Sequence, residues 1–439
     1  MSEKEKAGIK SISCSLPSYF LPAEEFAKGR GIERKKLEHL GIEGQAVPNE
    51  NESVESLMAK SIERLFDEFE ENPKEVGYLM VTSEEIKGKG DNLGNRIISL
   101  LKRREIDLTG VNSTTSLAAC NPLPSLIEQG VALAEKRGED VLVVAGDRSI
   151  YQENSAGEET QGMAACAFLI GKEPKVGVLD GLSGSRSDFV FDWGRPQENG
   201  NLPVFDGIAS MLSYLFFTSK SQREFKKKNG VKSLIDYAGN GIIAWHRPSE
   251  YMVELGSALL YAEEKGGLKE EINSYLSEAE EEFSKLFDWK FAELFSNDGG
   301  EALARYRKLQ EEGAFKNLHT IFKEMNSKVL KKVREKKEFK EVYENLVKPG
   351  VKWPNYIGNS YTASIGTCLL SALNEKDLEG ERAILTSYGS GANSTTLSLK
   401  ILDGYRDHIT KIDEEVGKMK EISFEEYLDL RPQVKQNFL

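Results

Sequence analysis

Gly241-Ile242-Ile243-Ala244-Trp245-His246-Arg247-Pro248 is an apolar run that ends in a histidine and is stopped by a proline. It predicts a buried strand through Ile242, Ile243 and Trp245, an exit at Arg247-Pro248, and an amphipathic helix from Ser249 to Tyr261. A histidine at a strand-to-helix switch stands where α/β proteins gather their chemistry. The other three histidines, His39, His319 and His408, fall in polar or charged stretches and read as surface residues. The competing reading of His246 is a hydrogen-bonded core residue. What favours a site is a cysteine in matching context elsewhere in the chain.

Working outward, residues 8 to 20 predict a first strand, and Ser53 to Phe69 a helix capped by Ser53, with Leu57, Met58, Ile62, Leu65 and Phe66 on one face. The strand Gly77 to Thr82 ends in Ser83-Glu84-Glu85. After a helix at about Leu93 to Lys102 comes Ser116-Leu117-Ala118-Ala119-Cys120-Asn121-Pro122, then a helix from about Ser125 to Arg137 and the strand Val141 to Asp147, apolar enough to be buried on both faces. Thr160 to Ile170 predicts another apolar strand. Toward the C-terminus, Ile357-Gly358-Asn359-Ser360-Tyr361-Thr362 leads into a helix through Leu373. The strand Ala383 to Ser387 follows and ends in Tyr388-Gly389-Ser390-Gly391, where glycine permits close backbone approach to a ligand. The unit that bears Cys120 and ends at Asp147 thus corresponds to the unit that bears Asn359 and ends at Ser387. Between the His246 helix and the Asn359 unit, about 266–348 is rich in Glu and Lys and predicts a solvated helical bundle or insertion.

Composition narrows the function. A chain of 439 residues with 39% hydrophobic and 29% charged residues can bury a large core, and it has no apolar run of membrane-spanning length. Its net charge of −13 argues against nucleic acid as the main partner. Lys220, Arg223, Lys226, Lys227 and Lys228 form a local basic cluster, but at helical spacing they read first as a solvated face. The four cysteines, Cys14, Cys120, Cys166 and Cys368, lack metal-ligand spacing, so free thiols and no metal are expected. The charged N-terminus is not followed by a signal-peptide pattern, which points to a cytoplasmic location.

Taken together, these segments resemble the 3-hydroxy-3-methylglutaryl-CoA synthases, a branch of the thiolase-like condensing enzymes. The resemblance rests on Val144-Ala145-Gly146-Asp147 with Tyr151, Thr160-Gln161-Gly162, Asp192 with Arg195-Pro196, Pro203 with Asp206-Gly207, His246 with Pro248, Gly358-Asn359 with Tyr361-Thr362, and Ser387 to Gly391. It spans nearly the whole chain, and the region 266–348 looks most like archaeal members. It implies an α/β, thiolase-like fold with two similar α/β halves in five layers, divided as 1–172 and 173–439, and a homodimer. It also implies condensation of acetyl-CoA with acetoacetyl-CoA for mevalonate and isoprenoid formation, without a cofactor, with an acetoacetyl-CoA thiolase as a further partner.

Within that resemblance Cys120 carries the acetyl group, Glu84 removes a methyl proton, and His246 assists the acceptor. Asn359, Tyr361, Ser390, Gly391, Thr160 and Tyr151 are the substrate-binding residues. The residue types suit the chemistry: a thiolate is both nucleophile and leaving group, and polar groups converging on a thioester can stabilise an oxyanion. A small buried apolar residue is the competing reading of Cys120. Two departures stand out. Cys120 is followed by Asn121-Pro122-Leu123-Pro124 where the family has small residues, and an ungapped alignment puts Leu117 in its place; Ala119-Cys120 favours Cys120. The family's glutamate directly follows its threonine, whereas here Ser83 follows Thr82 and Glu84 comes one residue later. A one-residue slip on a strand reverses the side chain. A related enzyme with another, carrier-bound acceptor, or a degenerate member serving as a structural partner, therefore remain as alternatives.

Overall fold

The computed structural model describes residues 6–84, 92–190, 192–195, 202–286 and 302–431. In the first half, β1 (Gly8–Ser15), β2 (Val76–Thr82), β3 (Asn112–Ser116), β4 (Asp140–Arg148) and β5 (Met163–Gly171) lie in the order β3-β2-β4-β5-β1. β2 is parallel to β3 and to β4, whereas β4–β5 and β5–β1 are antiparallel. In the second half, β6 (Gly177–Leu179), β7 (Gly184–Ser187), β8 (Ile242–Trp245), β9 (Arg382–Gly389) and β10 (Asn393–Ile401) repeat these relations. β8 is parallel to β9, β9 antiparallel to β10, and β10 antiparallel to both β6 and β7. Among the described residues the second half has no counterpart of β3. The two sheets join at the Ile9–Gly177 pair.

Side-chain alternation along these strands builds the layers. On β4, Leu142 and Val144 face the helices α1 (Val54–Glu68) and α2 (Leu93–Lys102), while Val141, Val143 and Ala145 face α3 (Pro122–Arg137) in the middle of the molecule. On β8, Ile242 and Ala244 also face the middle layer, and Ile243 and Trp245 pack outward on α4 (Gly207–Asn229) and α5 (Glu250–Glu264). α3 shares the middle layer with its counterpart α6 (Ser364–Glu375). The result is the expected five layers: outer helices, sheet, central helices, sheet, outer helices. Local signals act as expected at α1, where Ser53 Oγ accepts the Ser56 N–H, a cap worth about 1 kcal/mol.

Three features differ from the sequence reading. The Glu- and Lys-rich region does not stand off in solvent. Ile272, Leu276, Phe283, Leu318, Phe322, Met325, Val333 and Phe339 are buried in one cluster with α4 and α5, because apolar residues at helical spacing give each charged helix one buried stripe; residues 287–301 lie outside the described set. His319 is not a free surface residue: its Nε2 lies 2.7 Å from Asp206 Oδ1, the carboxylate that caps α4. Thr160 belongs to a 3₁₀ turn, Glu158–Thr160, with the strand starting at Met163. Here the Thr160 carbonyl accepts the Asn359 N–H across the two halves. Among the described residues no helix is long and apolar enough to cross a membrane.

Candidate active site

The carboxylate of Asp147, on β4 near its end, gathers the ends of neighbouring elements. Oδ1 accepts the Ser83 hydroxyl and the Glu84 N–H, both at 2.7 Å. Oδ2 accepts the N–H and hydroxyl of Thr362, at 3.0 and 2.5 Å. Burial, and then the facing Glu84, push this carboxyl up to about 7, against the pull of the Thr362 and Ser83 hydrogen bonds. Ser83 is thereby turned inward and committed to Asp147. Burial raises the pKa of the Glu84 carboxyl, opposed by the Arg195 charge and by the Ala119 backbone N–H.

Ala118-Ala119-Cys120 forms the tight bend that delivers Cys120 just ahead of α3. Ala119 has φ +47°, a left-handed conformation that costs on the order of 1 to 3 kcal/mol for a residue with a Cβ. The bend is held by the Ala118 carbonyl, which accepts the Asn121 N–H at 3.2 Å and Asn393 Nδ2 at 3.3 Å. It also lies against Gly389, where a Cβ would come within 2.5 Å of the Ala118 oxygen. The resting sulfur is a thiol, since burial and the Glu84 and Asp147 charges raise its pKa while Arg195 pulls it back. Leu117, in contrast, is 53% exposed and does not line the cavity.

His246 extends β8 by one residue, its N–H donating to the Thr386 carbonyl at 2.8 Å. Burial, reinforced by the adjacent Arg247, lowers its pKa to about 3, so the imidazole is neutral at physiological pH. Its Nδ1 has no hydrogen-bond partner among the described residues. Across from it, Asn359 uses its side-chain carbonyl to accept the Tyr361 N–H at 3.0 Å. That bond fixes which end of the amide is oxygen and leaves the NH₂ as the free donor. Gly358, with φ +87°, allows this segment to lie on Gln161, whose oxygen a Cβ would meet at 1.9 Å.

One cavity of about 280 Å³ is lined by Cys120, His246, Asn359, Tyr361, Ser390, Thr160 and Tyr151, with Phe205, Met211, Met252 and Trp193 on its apolar wall. Glu84 is not part of that lining, but its charge acts on Cys120. Gly391 lines a neighbouring open depression on the other side of the bend, and its N–H donates to Asp192 at 3.0 Å. Glu85 lies outside the described residues. The basic cluster on α4 is occupied by acidic partners: Lys220 by Glu280, Arg223 by Glu263 and Lys226 by Glu264, at 2.6 to 2.9 Å. Sequence reasoning assigned no role to Asp192, which binds the Tyr388 hydroxyl at 2.6 Å, or to Arg195, whose guanidinium carbon lies 5.5 Å from the Tyr361 ring centre. The only signal for either was its presence in a short quoted motif.

A cysteine ahead of one central helix and an asparagine ahead of its counterpart, meeting where two such halves join, is the arrangement of the thiolase-like condensing enzymes, which transfer acyl groups between thioesters. Comparison with known proteins narrows the class. The family model for the hydroxymethylglutaryl-coenzyme A synthase N terminal matches residues 3–175, and that for its C terminal matches 279–437; the chain belongs to this family. The hydroxymethylglutaryl-CoA synthase A of Dictyostelium discoideum is 25% identical over 425 residues, covering 94% of this chain and 79% of the relative. The Haloferax volcanii hydroxymethylglutaryl-CoA synthase is 23% identical, covering 94% and 86%. A solved structure of MvaS in complex with 3-hydroxy-3-methylglutaryl coenzyme A superposes with a TM-score of 0.75 at 23% identity, covering 97% of this chain and 92% of that one.

Proposed function

We propose that this chain is a hydroxymethylglutaryl-CoA synthase whose Cys120, Glu84 and His246 divide the reaction among them. The observation that carries the reading is the meeting of Cys120, His246 and Asn359 in one cavity. Cys120 attacks the carbonyl of acetyl-CoA and expels the CoA thiol. Glu84 takes a proton from the acetyl methyl, and the resulting enolate carbon attacks the ketone of acetoacetyl-CoA. The neutral imidazole of His246 and the amide of Asn359 are placed to hold developing oxyanions, and Tyr361, Ser390, Gly391, Thr160 and Tyr151 shape the substrate's bed. Water then cleaves the acyl-cysteine bond, releasing 3-hydroxy-3-methylglutaryl-CoA and restoring the thiol. The CoA thioesters and water are the small molecules this sequence of steps requires, and an acetoacetyl-CoA thiolase is the supplier it calls for. We place the protein in the cytoplasm and its halves on either side of residue 172.

Glu84's approach to the bend favours an active synthase over a structural partner. Incubation with acetyl-CoA and acetoacetyl-CoA should release free CoA and 3-hydroxy-3-methylglutaryl-CoA in equal amounts, read by mass spectrometry. Absence of product, with turnover only on a carrier-bound acceptor, would move the chain to the related-enzyme reading.

A homodimer is part of this proposal. β3 stands at the sheet edge with no strand beyond it among the described residues, and the nearby Leu117 and Phe189 are 53% and 47% exposed. Uncovered edge strands and large apolar side chains are features that association buries. Light scattering should give twice the 49.0 kDa chain mass; a monomer at micromolar concentration would remove this claim.

A further inference from the structure

Glu84 lies two residues beyond the last residue of β2, Thr82, so no strand ladder orients it. Its backbone is instead held from two sides. The N–H donates to Asp147 at 2.7 Å, and the carbonyl accepts from Arg195 Nη1 at 2.8 Å. Two such bonds fix the peptide planes on either side of Glu84, and with them the direction of its side chain. The Arg195 guanidinium is itself positioned by aromatic rings, its carbon 5.1 Å from the centre of Trp193 and 5.5 Å from that of Tyr361. Arg195 also brings positive charge to a place where Glu84, Asp147 and Asp192 would otherwise leave Cys120 in a purely negative surround.

We propose that Arg195 is a positioning residue for proton abstraction, aiming Glu84 at the acetyl group on Cys120 through the Glu84 carbonyl. The proposal rests on reading Glu84 as the base. It gives a physical account of how a glutamate one residue out of the family's place can still serve: Ser83 is committed to Asp147, and the chain beyond it is re-aimed by a bond from another loop. The positive charge also favours the ionised form of Glu84.

The test separates acetyl transfer from proton exchange in Arg195→Gln, Arg195→Lys and Glu84→Gln. Each variant is given acetyl-CoA in deuterated buffer, and both acetylation of Cys120 and deuterium in the acetyl group are measured against pH. Arg195→Gln should lose less than about tenfold in acetylation and about 10²-fold in exchange. The acid limb of its exchange profile should move to higher pH, because a carboxylate deprived of its cation holds its proton more tightly. Arg195→Lys should return the limb toward its original place but restore only part of the rate, since an ammonium keeps the charge and loses the planar fork. Circular dichroism and thermal melting show whether each variant is folded, and the Lys variant keeps the test open if the Gln variant is not. Exchange and limb unchanged in Arg195→Gln, or acetylation and exchange falling equally, would overturn the proposal. If Glu84→Gln is inactive in exchange while Arg195→Gln is normal, the base reading stands and the Arg195 role fails. If Glu84→Gln exchanges at the wild-type rate, the base reading fails and takes this proposal with it.

Discussion

Glu84→Gln is expected to keep forming acetyl-Cys120 while proton exchange at the acetyl methyl and product formation both fall by about 10²- to 10⁴-fold, the usual cost of losing a general base. The two half-reactions separate because the amide keeps the shape of the side chain and leaves the Cys120 bend to its own bonds with Asn121 and Asn393, but it cannot take a proton. Ser83→Ala is the informative contrast. Its hydroxyl donates to the Asp147 carboxylate, so exchange should drop by about tenfold, the scale of losing one hydrogen bond to a charged group. If Ser83→Ala were instead the inactive variant, the base would have to be sought elsewhere.

The pH dependence follows from the same pair. Burial raises the pKa of Glu84, and Asp147 is pushed up to about 7 by burial and by Glu84. Protons that bind as pH falls therefore remove the base, and exchange should begin to decline at a higher pH than for an ordinary carboxylate. The midpoint belongs to the pair. Glu84→Gln removes one of two like charges, so Asp147 should titrate lower in that variant. Acetylation should rise with pH, because burial and the two carboxylates hold Cys120 as a thiol.

Cys120→Ala should abolish the covalent intermediate and lower turnover by at least about 10⁴-fold, the scale seen when a nucleophile is removed from a preformed site. After rapid quench with acetyl-CoA, the wild type should carry the acetyl group on the peptide containing Cys120 alone. The other three cysteines are fully buried: Cys14 and Cys166 face each other across β1 and β5, and Cys368 lies within α6. None of these three lines the cavity. An acetylated Cys120→Ala protein would show that the nucleophile has been misassigned.

Most of what places these residues was legible in the sequence. The apolar run ending at His246, the buried strand ending at Asp147 and the glycine turn after Ser387 each state their local structure through residue type and spacing, because strand alternation and helix periodicity are short-range properties. The correspondence of the Cys120 and Asn359 units showed a repeated architecture, and α3 and α6 do share the middle layer. Where the reading of 266–348 fell short, charge density hid an apolar stripe that meets α4 and α5 only in three dimensions.

The sequence by itself determined the two-half α/β architecture, the family, and the residue types able to do acyl transfer, since each depends on patterns within one or two elements. Only the tertiary structure decided that the Ser83 side chain turns to Asp147, that Leu117 is a surface residue, and that Arg195 bonds the Glu84 carbonyl and Asp192 the Tyr388 hydroxyl. Those outcomes depend on hydrogen bonds between residues far apart in the chain: Asp147 to Ser83 and Thr362, Arg195 to Glu84, Asp192 to Tyr388. At the end of a strand the ladder no longer dictates direction, and the side chain points wherever these distant partners hold its backbone.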